Sequence, residues 1–183
     1  TVDVLTLSAT PIPRTLYMSM VGIKDLSLIQ TPPVDRLSVG TYVAKWEDSV
    51  IRHAIRLELE RGGQVFFVHN RVATIHTVFK RIEKLFPEAK IAIAHGQMKE
   101  QNLEKVMVAF LHRKIDILVT TAIIESGIDV PSANTMLINR ADMFGLAQLY
   151  QLRGRVGRSD RQAYCYLLIP DDTVLTTDAK ERL

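Results

Sequence analysis

From about residue 40 onward the chain alternates between short apolar runs and longer stretches in which apolar residues recur every three or four positions. The short runs VGTYVAK (39–45), QVFFVH (64–69), KIAIAH (90–95), IDILVTT (115–121), NTMLINR (134–140) and AYCYLLI (163–169) predict strands. WEDSVIRHAIRLELERGG predicts a helix stopped at Gly62 and Gly63, since glycine takes up the left-handed conformation that commonly ends helices. Ile75, Val78, Phe79, Ile82, Leu85 and Phe86 predict a second helix, and Leu103, Val106, Met107, Phe110 and Leu111 a third. Their spacing gathers the side chains on one helical face. QLYQLRGRVGR (148–158) reads as a fourth. The strands are apolar nearly throughout rather than alternating, as strands covered on both faces must be. The expected fold class is therefore α/β, a mainly parallel central sheet flanked by helices on both faces.

The first 35 residues depart from this rhythm. VDVLTLSA can form a strand and IPRTLYMSMVG a short helix, but TPPVDR (31–36) reads as a linker held extended by its prolines. A boundary is expected there, with residues 36–183 forming one domain and residues 1–35 belonging to whatever precedes it. A chain of 183 residues can bury one good core but hardly two. The start carries no initiator methionine, basic segment or cleavage pattern, so it reads as an excision from a longer chain without a signal peptide. No apolar run approaches the roughly 20 residues that cross a bilayer, and no membrane association is expected. The single cysteine, Cys165, leaves no internal disulfide and suits a reducing cytoplasm.

The net charge of +3 says little, but its distribution says more. Arg153, Arg155, Arg158 and Arg161 face only Asp160 within residues 148–161. On a continuous helix Gln151, Arg155 and Arg158 would share one face, beside a bare stripe at Gly154 and Gly157. Guanidinium forks match phosphate oxygens and stay charged at any working pH. A glycine-frayed helix end, its arginines favoured by the helix dipole, accounts for the same residues equally well. Three strands also run into polar clusters: His69-Asn70-Arg71, His95-Gly96-Gln97, and Thr120-Thr121 followed by Glu125-Ser126-Gly127-Ile128-Asp129. In an open parallel sheet that edge is where ligands bind. No G-x-x-x-x-G-K-[ST] occurs, so a phosphate site built on the arginines would be completed from elsewhere. The histidines match no zinc pattern, and no metal site is expected in this chain.

LSATP (7–11), FFVHNR (66–71), AHGQM (94–98), TTAIIESGIDVP (120–131) and QLYQLRGRVGRS (148–159) resemble, in order, the later motifs of superfamily-two helicases and translocases. SATPIPRTLYMSM with TPPVDR resembles the RecG-like branch of that superfamily, and IKDLSLIQTPPVDR and GLAQLYQLRGRVGRSDRQAYCYLL are most similar to its transcription-repair coupling factors.

The resemblance implies a motor of two RecA-like domains with ATP between them, the P-loop and magnesium ligands lying on the first. This chain would be the tail of that preceding domain plus the complete second one. Ser8, Ala9 and Thr10 would couple the domains. Arg155 and Arg158 would be arginine fingers, with Gln151, Gly127 and Asp129 on the nucleotide side. Asn70, Arg71, His95, Gly96, Thr120 and Thr121 would form part of a track for double-stranded DNA. RNA polymerase and the damage-recognition protein of nucleotide excision repair would be partners through domains outside this chain. A fork-remodelling helicase is the nearest alternative, and a passive nucleic-acid-binding scaffold is the alternative of another class.

Overall fold

The chain divides into two units, Thr1–Val34 and Asp35–Leu183. The computed structural model describes residues 37–121 and 130–170, all within the second unit. Ser8, Ala9, Thr10, the strand and short helix expected within residues 1–35, the linker, Gly127 and Asp129 lie outside the described residues.

Six strands form one sheet: β1 (Gly40–Lys45), β2 (Gln64–His69), β3 (Ile91–Ala94), β4 (Ile117–Thr120), β5 (Ala133–Asn139) and β6 (Tyr164–Ile169). Their spatial order is β1-β6-β5-β2-β4-β3, and every pairing is parallel. Among the described residues four α-helices intervene, α1 (Asp48–Glu60), α2 (Val72–Leu85), α3 (Glu100–Leu111) and α4 (Leu146–Arg153), with a short 3-10 turn at Ala141–Met143. Crossovers from β1 to β2 and from β2 to β3 run one way across the sheet, and their helices α1 and α2 share one face. The crossovers β3 to β4 and β5 to β6 run back, and α3 and α4 cover the other face. One handedness for all crossovers requires this division.

Alternation along β2 shows why the strands read as continuous apolar runs. Val65 and Phe67 join Ile51, Ile55, Ile75 and Ile82 beneath α1 and α2. Phe66 and Val68 join Met107, Phe110, Leu149 and Leu152 beneath α3 and α4. Phe66 meets Phe110 with ring centroids 5.0 Å apart, and Phe67 meets the Trp46 ring edge-on at 5.6 Å. Of the expected α3 face, Met107 and Phe110 are buried, while Leu111, the last residue of the helix, is exposed.

The helix ends follow from local chemistry. At the end of α1 the Gly62 N–H donates to the Leu59 carbonyl and the Gly63 N–H to the Glu58 carbonyl, both at 2.9 Å. With Gly62 at φ +74° this is a Schellman cap. After α3 the same pair of bonds runs from Arg113 to Phe110 and from Lys114 to Ala109. Here Arg113 itself takes the left-handed position at φ +58°, which is why no glycine marks that end in the sequence.

Phe67 is fully buried on the central strand. Phe67→Ala should lower unfolding stability by about 3–5 kcal/mol through lost transfer energy and the cavity left behind. Urea denaturation would show the lowered midpoint, and a loss below 1 kcal/mol would mean that Trp46 and the α1–α2 face collapse into the gap.

Candidate functional site

Because all strands are parallel, their carboxyl ends lie along one edge, and β2, β4 and β3 are adjacent there. Asn70 and Arg71, His95 and Gly96, and Thr120 and Thr121 are accordingly brought together along that edge. Asn70 and Arg71 sit where β2 passes into α2, with Arg71 exposed. The His95 carbonyl accepts the Met98 N–H at 3.0 Å, closing a tight turn that leaves Gly96 exposed. Thr120 and Thr121 are buried, and the Thr121 N–H donates to the Ala94 carbonyl at 3.2 Å. The Thr120 hydroxyl is turned inward to the Thr121 carbonyl at 2.9 Å.

His69 organises this edge. Its Nδ1 accepts the Asn139 amide N–H at 2.9 Å, and its Nε2 lies 2.7 Å from the Thr74 hydroxyl. An acceptor Nδ1 leaves the proton on Nε2, so the ring is neutral and joins the ends of β2 and β5 to the first turn of α2. Burial and, secondarily, the Arg71 charge hold its pKa below the usual 6.5.

Sequence reasoning missed the continuation of this edge onto β5. Arg140 adopts φ +55° and forks onto Asp142 with contacts of 2.8–3.2 Å. Asp142 is buried. The signal is present in the sequence, since Asn139-Arg140 ends β5 as Asn70-Arg71 follows β2, but apolar patterning alone extends the strand through Arg140. The left-handed turn at Arg140 ends it at Asn139.

The arginine cluster occupies the opposite edge, and its geometry corrects the helical reading of residues 148–158. Helix α4 stops at Arg153. Beyond it the bonds tighten, with the Arg155 N–H donating to the Leu152 carbonyl at 2.9 Å. Gly157 then reverses the chain at φ +74°. Gln151, Arg155 and Arg158 therefore do not share a helical face. The physical reason is packing: Val156 is fully buried in the core beneath α4, and the chain must turn at once into β6. Gly157 is no bare stripe for a ligand. A Cβ there would come within 3.1 Å of both Ala163 and Val39, so the glycine lets the turn pack against the bases of β6 and β1.

Gln151, in the last turn of α4, and Arg158, in the turn that follows, are exposed, and Arg155 is half-buried. The Arg158 Nε donates to the Gly154 carbonyl at 3.3 Å, and Arg153 lies over the Tyr150 ring at 4.8 Å. The far end is tied down by Ser159, whose hydroxyl donates to Asn134 Oδ1 at 2.9 Å, at the base of β5. Cys165 takes no part, because burial pushes its thiol up to about 12. The domain thus presents a polar edge built from backbone turns and small side chains, and a cationic turn at the other end of the sheet.

The sheet, with a cationic turn following α4, has the RecA-like fold seen in solved helicase structures. The chain belongs to the helicase conserved C-terminal domain family, whose model matches residues 47–160. Over its whole length it is 59% identical to a transcription-repair-coupling factor of Myxococcus xanthus. It is 57% identical to those of Haemophilus influenzae and Escherichia coli. It spans 15–16% of the length of these relatives. Among solved structures, RecG bound to a three-way DNA junction matches 95% of this chain and 23% of that one, at TM-score 0.79 and 38% identity. Yeast Dbp5 bound to RNA and ADP BeF3 shares the fold at TM-score 0.67 and 15% identity, over 96% of this chain and 47% of that one.

Two expectations follow from the geometry. Gly157→Ala should destabilise by about 1–2 kcal/mol for its left-handed backbone, with crowding added. Gly62→Ala has the same φ but open space around it, and should cost less. Equal denaturation midpoints for the two variants would show that contact with Val39 and Ala163 is immaterial.

His69 sets a pH dependence. Its folded pKa lies below the unfolded 6.5, so the unfolded chain binds the extra proton between the two values. Stability should fall as pH drops below about 6.5 and level off beneath the folded value. Urea midpoints between pH 7.5 and 5 should show this slope, and His69→Gln should flatten it. An unchanged slope would place the proton uptake elsewhere.

Proposed function

We propose that this chain is the second motor domain of an ATP-dependent double-stranded-DNA translocase of the coupling-factor kind. That protein displaces stalled RNA polymerase and recruits the excision-repair damage-recognition protein, acting in the cytoplasm. The observation that carries this reading is 57–59% identity to coupling factors along the whole chain. Residues 1–35 would complete the preceding RecA-like domain, with Ser8, Ala9 and Thr10 carrying motion between the two.

The two polar edges support a division of roles. Asn70, Arg71, His95, Gly96, Thr120 and Thr121 would track the DNA backbone. The exposed turns at Arg71 and Gly96 suit contacts to phosphate and sugar, and a translocase that steps along any sequence has no use for base readout. Arg155 and Arg158 would reach the terminal phosphate of a nucleotide held by the preceding domain, with Gln151, Gly127 and Asp129 on the same surface. ATP would supply the transferable phosphoryl group, with Mg2+ held by that domain. The donors fit, since guanidinium groups bind phosphate oxygens in pairs and cannot lose their charge.

A second reading, a fork-remodelling helicase, has the support of the 38% identity to RecG, which was solved on a three-way junction. In the full-length protein, plain duplex and three-way junctions would be compared as activators of ATP hydrolysis. Stimulation by plain duplex favours the first reading, and stimulation by junctions alone the second.

Arg155→Ala and Arg158→Ala should each lower the hydrolysis rate by about 10³-fold or more, the range of arginine fingers, with the melting temperature unchanged. Lysine should restore little. The isolated chain should show no DNA-stimulated hydrolysis. Hydrolysis within about twofold of the unsubstituted protein in Arg155→Ala would overturn the assignment.

A further inference from the structure

Glu58 and Arg61 form an ion pair at the end of α1, on the edge of the sheet where the arginine turn lies. The Glu58 side chain is wholly buried. Its Oε2 accepts both the Arg61 guanidinium and the Thr135 hydroxyl, while Oε1 is buried without a partner. The Arg61 Nε is likewise buried and unpartnered. A Cβ at Gly63 would overlap the Glu58 carboxylate, so the chain keeps a glycine to admit that charge.

Such an arrangement costs stability. A buried pair gains little net energy over apolar residues of the same shape, and an unpaired buried oxygen is a direct penalty. What it does fix is geometry. Arg61 Nη1 donates to the Gln162 carbonyl at 2.8 Å, and its side chain lies over the Tyr164 ring at 5.4 Å. Arg161 Nη1 donates back to the Arg61 carbonyl at 2.7 Å. These reciprocal bonds reach around the end of the sheet, from α1 on one face to the turn that leaves α4 on the other. With Ser159 held by Asn134, they fasten the far end of the segment whose near end is α4, and Arg155 and Arg158 lie between.

We infer that Glu58, Arg61 and Arg161 are positioning residues for Arg155 and Arg158. They form a clamp that holds the arginine turn in register with the sheet so that its guanidinium groups meet the nucleotide in one geometry. The inference rests on the proposed role of Arg155 and Arg158 and assigns how that role is prepared.

The test uses the full-length protein. Glu58→Met combined with Arg61→Met removes both charges and leaves apolar volume, so the melting temperature should hold or rise. The maximal DNA-stimulated hydrolysis rate should fall at least about tenfold, since a misplacement of about 1 Å can cost on the order of 100-fold. The KM for ATP and the affinity for duplex should stay within about twofold, because neither the P-loop nor the DNA edge is touched. Without nucleotide, amide exchange should quicken across residues 154–163 and remain unchanged in β2 and β5. Arg61→Lys, which cannot serve the carboxylate and the carbonyl together, should retain the fold without the rate. Arg161→Ala, on an exposed side chain, should show a smaller loss with the same exchange pattern. If the double variant fails to fold, these last two decide.

A folded variant with unaltered rate and exchange overturns the clamp. Arg155→Ala in the same assay separates the two ideas. If it too is unimpaired, the role of the arginine turn fails; if it is crippled while the clamp variants are normal, only the clamp fails.

Discussion

Burial of β2 and β5 on both faces is the constraint from which the rest of this domain follows. Every residue of both strands is buried, so neither face offers a place for a polar group that must meet a ligand. Polar chemistry is displaced to the strand ends, where the backbone leaves the sheet and the side chains regain space. The crossovers then decide which end carries which chemistry. Turns entering helices lie at the carboxyl edge, and turns leaving helices lie at the other.

That separation gives the domain two working edges with different character. At one, a neutral histidine ties two strand ends and a helix start together, with compact turns on either side. At the other, a helix is stopped early so that a cationic segment can turn under the sheet. The two are joined by rigid material: the fully buried strands between them can shift only as a body, because close-packed interiors do not deform continuously. The match to RecG and Dbp5 shows the same sheet serving proteins solved on quite different nucleic acids.

Much of this is legible in the amino-acid sequence. The strand 64–69 can be read as a short apolar run bounded by glycines and a polar cluster, and the core face of α2 from apolar residues recurring at helical spacing. The polar residues after β2, β3 and β4 could be grouped because parallel order forces them to one edge. Residues 148–158 could not. Glycine and arginine both occur near helix ends, and only the burial of Val156 and the close approach of Gly157 to Val39 decide that the helix stops at Arg153. Val39 precedes β1, more than a hundred residues away, and no local pattern carries that contact. The Glu58–Arg61 pair was invisible for the same reason: its meaning lies in Thr135 and Gln162, which periodicity does not connect to α1.

The pairing of the first strand with the last has a mechanical consequence. β1 and β6 are parallel neighbours in register from Gly40↔Tyr164 to Lys45↔Ile169. The chain preceding Gly40 and the chain following Ile169 therefore leave the sheet at opposite edges. Tension applied through them pulls β1 and β6 along each other in shear. The hydrogen bonds between the two strands then share the load at once, whereas an antiparallel hairpin would peel open one bond at a time. The pairing of β1 with β6 thus resists a pull between the two ends of the sheet as a single unit.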